Sequence, residues 1–125
     1  MLNVMLVGIG GFAGSVARYL LGGWIQRMAG EAWMFLGTAV VNLVGCLLIG
    51  LIVNLAQVRS VISGEMRILL VFGLLGGFTT FSSFGLENFQ LIREGRAMAA
   101  SLNVLFQVLL GIGGVMLGGW LARFS

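Results

Sequence analysis

Four long stretches of apolar residues run through the chain, separated by short segments that hold most of the charged residues. The stretches cover approximately residues 2–25, 33–56, 68–92 and 97–121. Each is close to or above the about 20 residues that an α-helix needs to cross the hydrocarbon core of a bilayer. Membrane barrel strands would instead alternate in polarity over about 10 residues. The pattern predicts an all-α membrane protein, a single domain (residues 1–125) of four transmembrane helices.

The composition agrees with this interpretation. Apolar residues make up 59% of the chain and charged residues 9%, which is too little polar surface to coat a soluble protein of this size. The formal net charge of +3 comes from arginines that lie mostly at the predicted membrane edges. We therefore expect a lipid membrane, and no nucleic acid, as the surroundings of these arginines.

The arginines outside the spans show no preference for one side of the membrane. In the predicted topology, three lie on one side (Arg59, Arg67, Arg123) and three on the other (Arg27, Arg93, Arg96). Since arginines in short loops normally collect on the cytoplasmic side, this balance favours neither orientation. Either another factor decides the orientation, or the chain inserts both ways and opposite copies pair into an antiparallel homodimer.

Small residues favour association of the helices. The glycine pairs Gly10/Gly14, Gly73/Gly77 and Gly114/Gly118 have the G-x-x-x-G spacing that lets membrane helices approach closely. Four thin helices enclose little space by themselves. We therefore expect oligomerisation, with any transport pathway lying between subunits.

Polar residues form three stripes at helical spacing within the apolar spans. The second span carries Thr38 and Asn42, the third carries Thr80, Ser83 and Glu87 with Asn88 alongside, and the fourth carries Asn103 and Gln107. A polar group in hydrocarbon is costly unless it faces protein or a wet cavity. Any one of these residues could simply bridge two helices, but together the stripes predict a lined pathway.

The chemistry of the stripes favours an anion or a neutral solute. Their groups are mainly amides and hydroxyls, with the single carboxylate of Glu87, and the sequence contains neither Asp nor His. A cation pathway or a proton-coupled pump would be expected to carry acids at membrane depth. Arg18, within the first span, either attracts an anion or ties its helix to neighbouring carbonyl groups.

The segment GGFTTFSSF, residues 76–84, combines poor helix formers with two aromatic rings. Phe81 and Phe84 are three residues apart, and phenyl edges carry partial positive charge that favours an anion, although such a pair is also typical of a core or lipid-facing surface. Gly76 and Thr79 lie in a run where a helix can break. Carbonyl oxygens freed by a break are suitable ligands for a small hard cation.

Three segments of the chain resemble the Fluc (CrcB) fluoride channels. They are GGFAGSVARY at residues 10–19, GTAVVNLVGC at 37–46 and GLLGGFTTFSSF at 73–84, and the resemblance extends over essentially the whole chain. It implies an antiparallel, dual-topology homodimer with two fluoride pores at the subunit interface and a third helix that breaks at the dimer centre.

The resemblance also implies roles for individual residues. Backbone carbonyls of Gly76 and Thr79 from both chains would hold a structural sodium ion, and the edges of Phe81 and Phe84 would face fluoride. Further pore positions would be Asn42, Thr38, Ser83 and Glu87. The fourth helix departs from the family, because Asn103, Gln107 and Gly111 stand where relatives carry a hydroxyl-rich track.

We therefore expect a passive fluoride channel that exports the ion from a bacterium through its plasma (inner) membrane. A small antiparallel multidrug exporter is an alternative, but it would need an acid in the first helix, and residues 2–25 contain none. A non-conducting assembly subunit is a second alternative. Catalysis is the weakest hypothesis, because the sequence has no His, no acid pair and no cofactor-binding loop.

Overall fold

The chain folds into helices throughout its length. A computed structural model describes the backbone of residues 1–125 and every side chain except that of Arg59. Four helical spans are long and apolar enough to cross a membrane, and the described residues contain no strand. They are the first helix (Leu2–Ala29), the second helix (Leu36–Arg59), the third span (Gly64–Arg93) and the fourth helix (Ala97–Phe124). The predicted all-α, four-span architecture is confirmed.

The helix bounds differ from the predicted ones by a few residues at several ends. The first helix continues to Ala29 and ends at Gly30, whose φ of 78° is unfavourable for a residue with a side chain. A short 3₁₀ helix, Glu31–Trp33, follows, so the second helix begins at Leu36 instead of residue 33. The apolar pattern marks the part of a helix that lies in hydrocarbon, whereas the hydrogen-bonded helix also extends into the polar interface.

The third span is broken in its middle, as expected. Its first segment (residues 64–78) stops where Thr79 and Thr80 adopt extended backbone conformations, with ψ of 156° and 111°. The second segment, Phe81–Arg93, then begins with Thr80 as its N-cap, whose side chain accepts a hydrogen bond from Ser83 N. Threonine supports the break because it favours extended backbone and its hydroxyl caps the helix that follows.

The first segment contains an irregularity that the apolar pattern does not reveal. Residues Ile68–Leu75 form a π-helix of eight residues, between short α-helical pieces at Gly64–Arg67 and Gly76–Phe78. π-Helices are rare, usually a single turn, and frequent near functional sites. This wider winding directly precedes the break.

Glycines determine how the helices pair. The first helix lies against the first segment of the third span so closely that a Cβ atom on Gly10 would be 2.5 Å from Leu69 O and 2.8 Å from Gly73 Cα. The second and fourth helices approach equally closely, and a Cβ atom on Gly118 would be 2.7 Å from Leu51 N. Close glycine contacts join these two helix pairs within one chain, and a further one joins the first and second helices, where a Cβ atom on Gly37 would be 2.6 Å from Gly22 O.

This packing changes the interpretation of the G-x-x-x-G pairs. Gly10 and Gly14 face the first segment, Gly77 faces the backbone of Gly11, and Gly118 faces the second helix. These glycines are used for packing inside the subunit. Their expected role in oligomerisation is therefore not supported, and any association of subunits has to be argued from other surfaces.

Candidate functional site

The break in the third span is held open by one side chain of the second helix. Asn42 Oδ1 accepts a hydrogen bond from Thr80 N (2.8 Å), and Asn42 Nδ2 donates to Thr80 O (3.1 Å). The carboxamide thus satisfies both backbone groups of a residue that has left the helix, which removes the desolvation cost of breaking a helix in a membrane. Thr80 is only 7% exposed as a result of this position.

The break brings together two helix ends of opposite polarity. The first segment ends with free carbonyl groups, the negative end of a helix, and the second segment begins with free N–H groups, the positive end. Polar side chains of the first helix satisfy two of the carbonyls. Ser15 Oγ donates to Gly77 O (3.4 Å), and Arg18 Nη1 donates to Thr79 O (3.3 Å).

A polar cavity of about 580 Å³ lies on one side of the break, and we call it the vestibule. Its polar lining residues are Ser15, Arg18, Tyr19, Gln26, Arg27, Thr38, Thr80 and Glu87. The Thr38 hydroxyl donates to Glu87 Oε1. Among the described residues, buried Glu87 Oε2 has no hydrogen-bond partner. The vestibule therefore combines two arginines, one carboxylate and several neutral hydrogen-bonding groups.

A second, mainly apolar cavity of about 370 Å³ lies on the other side, and we call it the phenyl groove. Phe81, Phe84, Asn42 and Gln107 line it, and Thr80 borders both cavities. The centroids of the two phenyl rings are 5.5 Å apart with an interplanar angle of 34°. The Phe81 ring is 83% exposed, so one wall of the groove is open in the single chain.

Four side-chain amides connect the break to the fourth helix, and we call them the amide chain. The hydrogen bonds run from Thr80 N to Asn42 Oδ1 (2.8 Å), Asn42 Nδ2 to Gln107 Oε1 (3.1 Å), Gln107 Nε2 to Asn103 Oδ1 (2.9 Å), Asn103 Nδ2 to Asn88 Oδ1 (3.1 Å) and Asn88 Nδ2 to Phe84 O (2.7 Å). Every donor points in the same direction along the chain. The network begins and ends on the backbone of the segment that carries the two rings.

The structure brings the three predicted polar stripes together around the break. Thr38 meets Glu87, Asn42 meets both Thr80 and Gln107, and Ser83 Oγ accepts a hydrogen bond from Thr80 Oγ1 (2.9 Å). The predicted residues that border one of the two cavities are Arg18, Thr38, Asn42, Gly76, Thr79, Thr80, Phe81, Phe84, Glu87 and Gln107.

Two of the predicted pathway residues, Ser83 and Asn103, lie away from both cavities of the single chain. Asn103 is 3% exposed and lies between the third span and the fourth helix, where it contacts Asn88 and Gln107 through hydrogen bonds. It borders neither the vestibule nor the phenyl groove. Gln107 lies one helical turn further along the same face and lines the groove. At the level of Asn103 the third span covers this face, because Asn88 contacts Asn103 there.

Several lining residues were missed in the sequence. Ser15, Gln26 and Arg27 all border the vestibule together with the predicted Arg18. Ser15, Arg18 and Gln26 have i, i+3 and i+11 spacing, which places them on one helix face. The first span therefore carries a fourth polar stripe, whose helical spacing is the signal that identifies it in the sequence.

Comparisons with known proteins agree on one family. The family profile described as "CrcB-like protein, Camphor Resistance (CrcB)" matches residues 5–119. A protein of Methylobacillus flagellatus named "Fluoride-specific ion channel FluC" is 44% identical over 126 residues, covering 100% of this chain and 98% of that protein. A protein of the same name from Agrobacterium fabrum is 46% identical over 123 residues, covering 98% of each. "Fluoride-specific ion channel FluC 1" of Methanosarcina acetivorans is 44% identical over 118 residues, covering 94% of this chain and 88% of that protein. With a family profile that covers most of the chain and relatives this similar over nearly their full length, the chain belongs to the CrcB family.

Proposed function

We propose that this protein is a fluoride-selective ion channel that lets fluoride leave the cell down its electrochemical gradient. The observation that carries the proposal is the break at Thr79 and Thr80, where Thr80 borders both a charged vestibule and a mainly apolar groove lined by two phenyl rings. The names of relatives 40–46% identical to this chain support fluoride as the ion. A channel of this kind performs no covalent chemistry, so the protein is not an enzyme.

The vestibule provides the entry step. Arg18 and Arg27 line it, and their positive charges raise the local concentration of an anion. The positive end of the second segment lies beside it and adds to this attraction. Because Arg18 also binds Thr79 O, its charge is held at the break instead of moving away to the interface.

The break and the groove provide the dehydration step. Fluoride is small and strongly hydrated, so it passes a narrow site only where hydrogen-bond donors replace lost water. The Ser83 hydroxyl, which accepts from Thr80 and keeps its own proton, and amide N–H groups such as those of Gln107 supply donors. The ring edges of Phe81 and Phe84 supply partial positive charge. Larger chloride fits the same passage poorly, and a cation meets donors where it needs acceptors.

An efflux assay tests the proposal. Purified protein in liposomes loaded with potassium fluoride should release fluoride, measured with a fluoride electrode, after valinomycin is added to carry potassium. Chloride-loaded liposomes monitored with a chloride electrode provide the selectivity control, and protein-free liposomes provide the leak. Equal chloride and fluoride rates, or no release above the leak, would overturn the proposed function.

An antiparallel homodimer with two pores is part of the same proposal. Phe81 is 83% exposed and Ser82 is exposed directly beside the break. A polar side chain at membrane depth is unfavourable against lipid, so the exposed Ser82 beside the open wall of the phenyl groove favours a protein cover. A second copy of the chain would close the groove, and the equal arginine counts on the two sides favour the inverted orientation.

Cysteine labelling tests the orientation. In a Cys46→Ala background, Ser125→Cys places one thiol at the end of the fourth helix. If both orientations exist, a membrane-impermeant maleimide applied to intact cells should label about half of the protein that it labels after lysis. Labelling of all copies, or of none, before lysis would refute the dual topology.

We further propose that a structural sodium ion binds at the break, where the residues present are suitable ligands. The carbonyl groups of Gly76 and Thr79 lie at the negative end of the first segment, and hard cations prefer oxygen ligands. Thr79 O already accepts from Arg18, but a carbonyl oxygen has a second lone pair. Gly76 and Thr79 of both copies would hold the ion, and its charge would tie the two broken helices together.

The architecture supports a membrane location. Four apolar helical spans make this a multi-pass integral membrane protein. We propose the plasma (inner) membrane of a bacterium, because export of an ion trapped in the cytoplasm must occur there and because outer membranes hold barrels. An exporter of the small multidrug type is not favoured, since the first helix contains no acidic residue.

A further inference from the structure

The amide chain is anchored at both ends by groups that cannot turn round. It starts at a backbone donor, Thr80 N–H, and ends at a backbone acceptor, Phe84 C=O. A side-chain amide can rotate by half a turn and exchange its oxygen with its nitrogen, whereas a backbone group cannot. Each amide between the two anchors therefore has only one orientation that satisfies both of its neighbours.

The anchor at Phe84 determines the orientation of the amides that follow it. Asn88 Nδ2 donates to Phe84 O, which leaves Asn88 Oδ1 to accept from Asn103. Asn103 Oδ1 consequently faces Gln107 and accepts from it. Reversal of any one amide would place two oxygens or two N–H groups against each other at a nearly dry site, since Asn88 and Asn103 are 8% and 3% exposed.

Gln107 is the member of the amide chain whose fixed orientation affects the phenyl groove. Its Oε1 is occupied by Asn42, and its Nε2 donates to Asn103. An amide nitrogen carries two hydrogens, so one N–H of Gln107 remains for a ligand. Gln107 lines the phenyl groove, and this remaining N–H is a donor for an anion there.

We propose that Asn88 and Asn103 are positioning residues that lock the Gln107 carboxamide with its free N–H towards the phenyl groove, where it donates to the permeating anion. The inference rests on the proposed channel function. In this role Asn88 and Asn103 affect ion permeation without contacting the ion. It also explains how a fourth helix with amides at these positions supplies an oriented donor.

A double-mutant cycle on fluoride efflux tests the inference. Asn103→Leu should lower the efflux rate on the order of tenfold, the effect expected when one hydrogen bond to a charged group is lost. If Asn103 acts through Gln107, the same substitution in a Gln107→Leu background should change the rate by less than about twofold, within the error of additivity. The fluoride-to-chloride rate ratio should fall in Asn103→Leu as well.

Matched controls separate positioning from folding. Ser101→Ala removes an exposed hydroxyl on the same helix, bonded only to Ala97 O, and should leave efflux unchanged. Size-exclusion chromatography reports whether each variant is folded, and Asn88→Ser replaces Asn103→Leu in the cycle if the latter aggregates. If Asn103→Leu changes the fluoride efflux rate by the same factor with and without Gln107, the inference is overturned. If the wild-type protein releases no fluoride, the proposed function is overturned instead.

Discussion

The close contact between the first helix and the third span gives a quantitative prediction. In Gly10→Ala, the added Cβ atom would be 2.5 Å from Leu69 O, 2.7 Å from Leu74 N and 2.8 Å from Gly73 Cα. All three atoms belong to backbone, so none can move away by rotation of a side chain. Gly8 lies on the same helix with nothing within 4 Å of its hypothetical Cβ atom, which makes Gly8→Ala a matched control.

The magnitude follows from the required separation. Carbon contacts have their optimum at about 3.5–4.0 Å, so a contact of 2.5 Å requires the two helices to move apart by about 1 Å. Overpacking of this kind typically costs about 1–3 kcal/mol. Both substitutions share the gain of about 1 kcal/mol in helix propensity. Gly10→Ala should therefore be about 1–3 kcal/mol less stable than Gly8→Ala.

Thermal unfolding in detergent measures the difference, with the loss of the folded peak in size-exclusion chromatography as the readout. Fluoride efflux should fall in Gly10→Ala, because the first segment and its carbonyls would move relative to Arg18. Gly8→Ala should keep both the wild-type stability, or slightly more, and the wild-type efflux rate. If the two variants unfold together, the glycine contact does not determine the position of the broken span.

Further predictions concern the ion pathway. Phe81→Ile and Phe84→Ile remove ring edges while keeping apolar volume, and each should lower fluoride efflux about tenfold with an unchanged chromatographic profile; an unchanged rate would exclude the rings from the pathway. Arg18→Met should lower efflux and weaken its dependence on ionic strength, whereas Arg18→Lys should retain the ionic-strength dependence because it keeps the charge; identical behaviour of both variants would remove the charge of Arg18 from the entry step. Replacing sodium by N-methylglucamine throughout purification should lower the unfolding temperature if carbonyls such as Thr79 O hold a structural cation, and an unchanged temperature would contradict that site.

The sequence predicts the spans and the break well because both depend on local chemistry. Apolar runs long enough to cross a bilayer can be counted directly, and a glycine run followed by Thr79 and Thr80 lowers helix propensity over a short window. Polar stripes are equally local, since residues three or four apart share a helix face. These features therefore require no knowledge of which helices are neighbours.

Neighbour relations explain what the sequence did not predict. The G-x-x-x-G spacing of Gly10 and Gly14 indicates close packing but does not distinguish a partner subunit from another part of the same chain. Asn103 and Gln107 share one stripe, yet only Gln107 reaches a cavity, because the third span covers Asn103. The π-helix at Ile68–Leu75 has no signature in its uniformly apolar sequence, where a change of hydrogen-bond register leaves the polarity pattern unaltered.

An anion is strongly disfavoured in the core of a bilayer. The broken span offsets this cost because it places a positive helix end at that depth. A continuous helix would present only hydrogen-bonded backbone at mid-membrane, whereas the break at Thr79 and Thr80 exposes one positive and one negative helix end there. Ser15 and Arg18 bind carbonyls of the negative end, and the charge of Arg18 offsets the partial negative charge there, so that the positive end dominates the field beside it. The protein therefore needs no arginine inside the phenyl groove to make it attractive to an anion. A weakly charged route of this kind also lets the ion leave again, since a fully charged site would bind it too tightly for rapid passage.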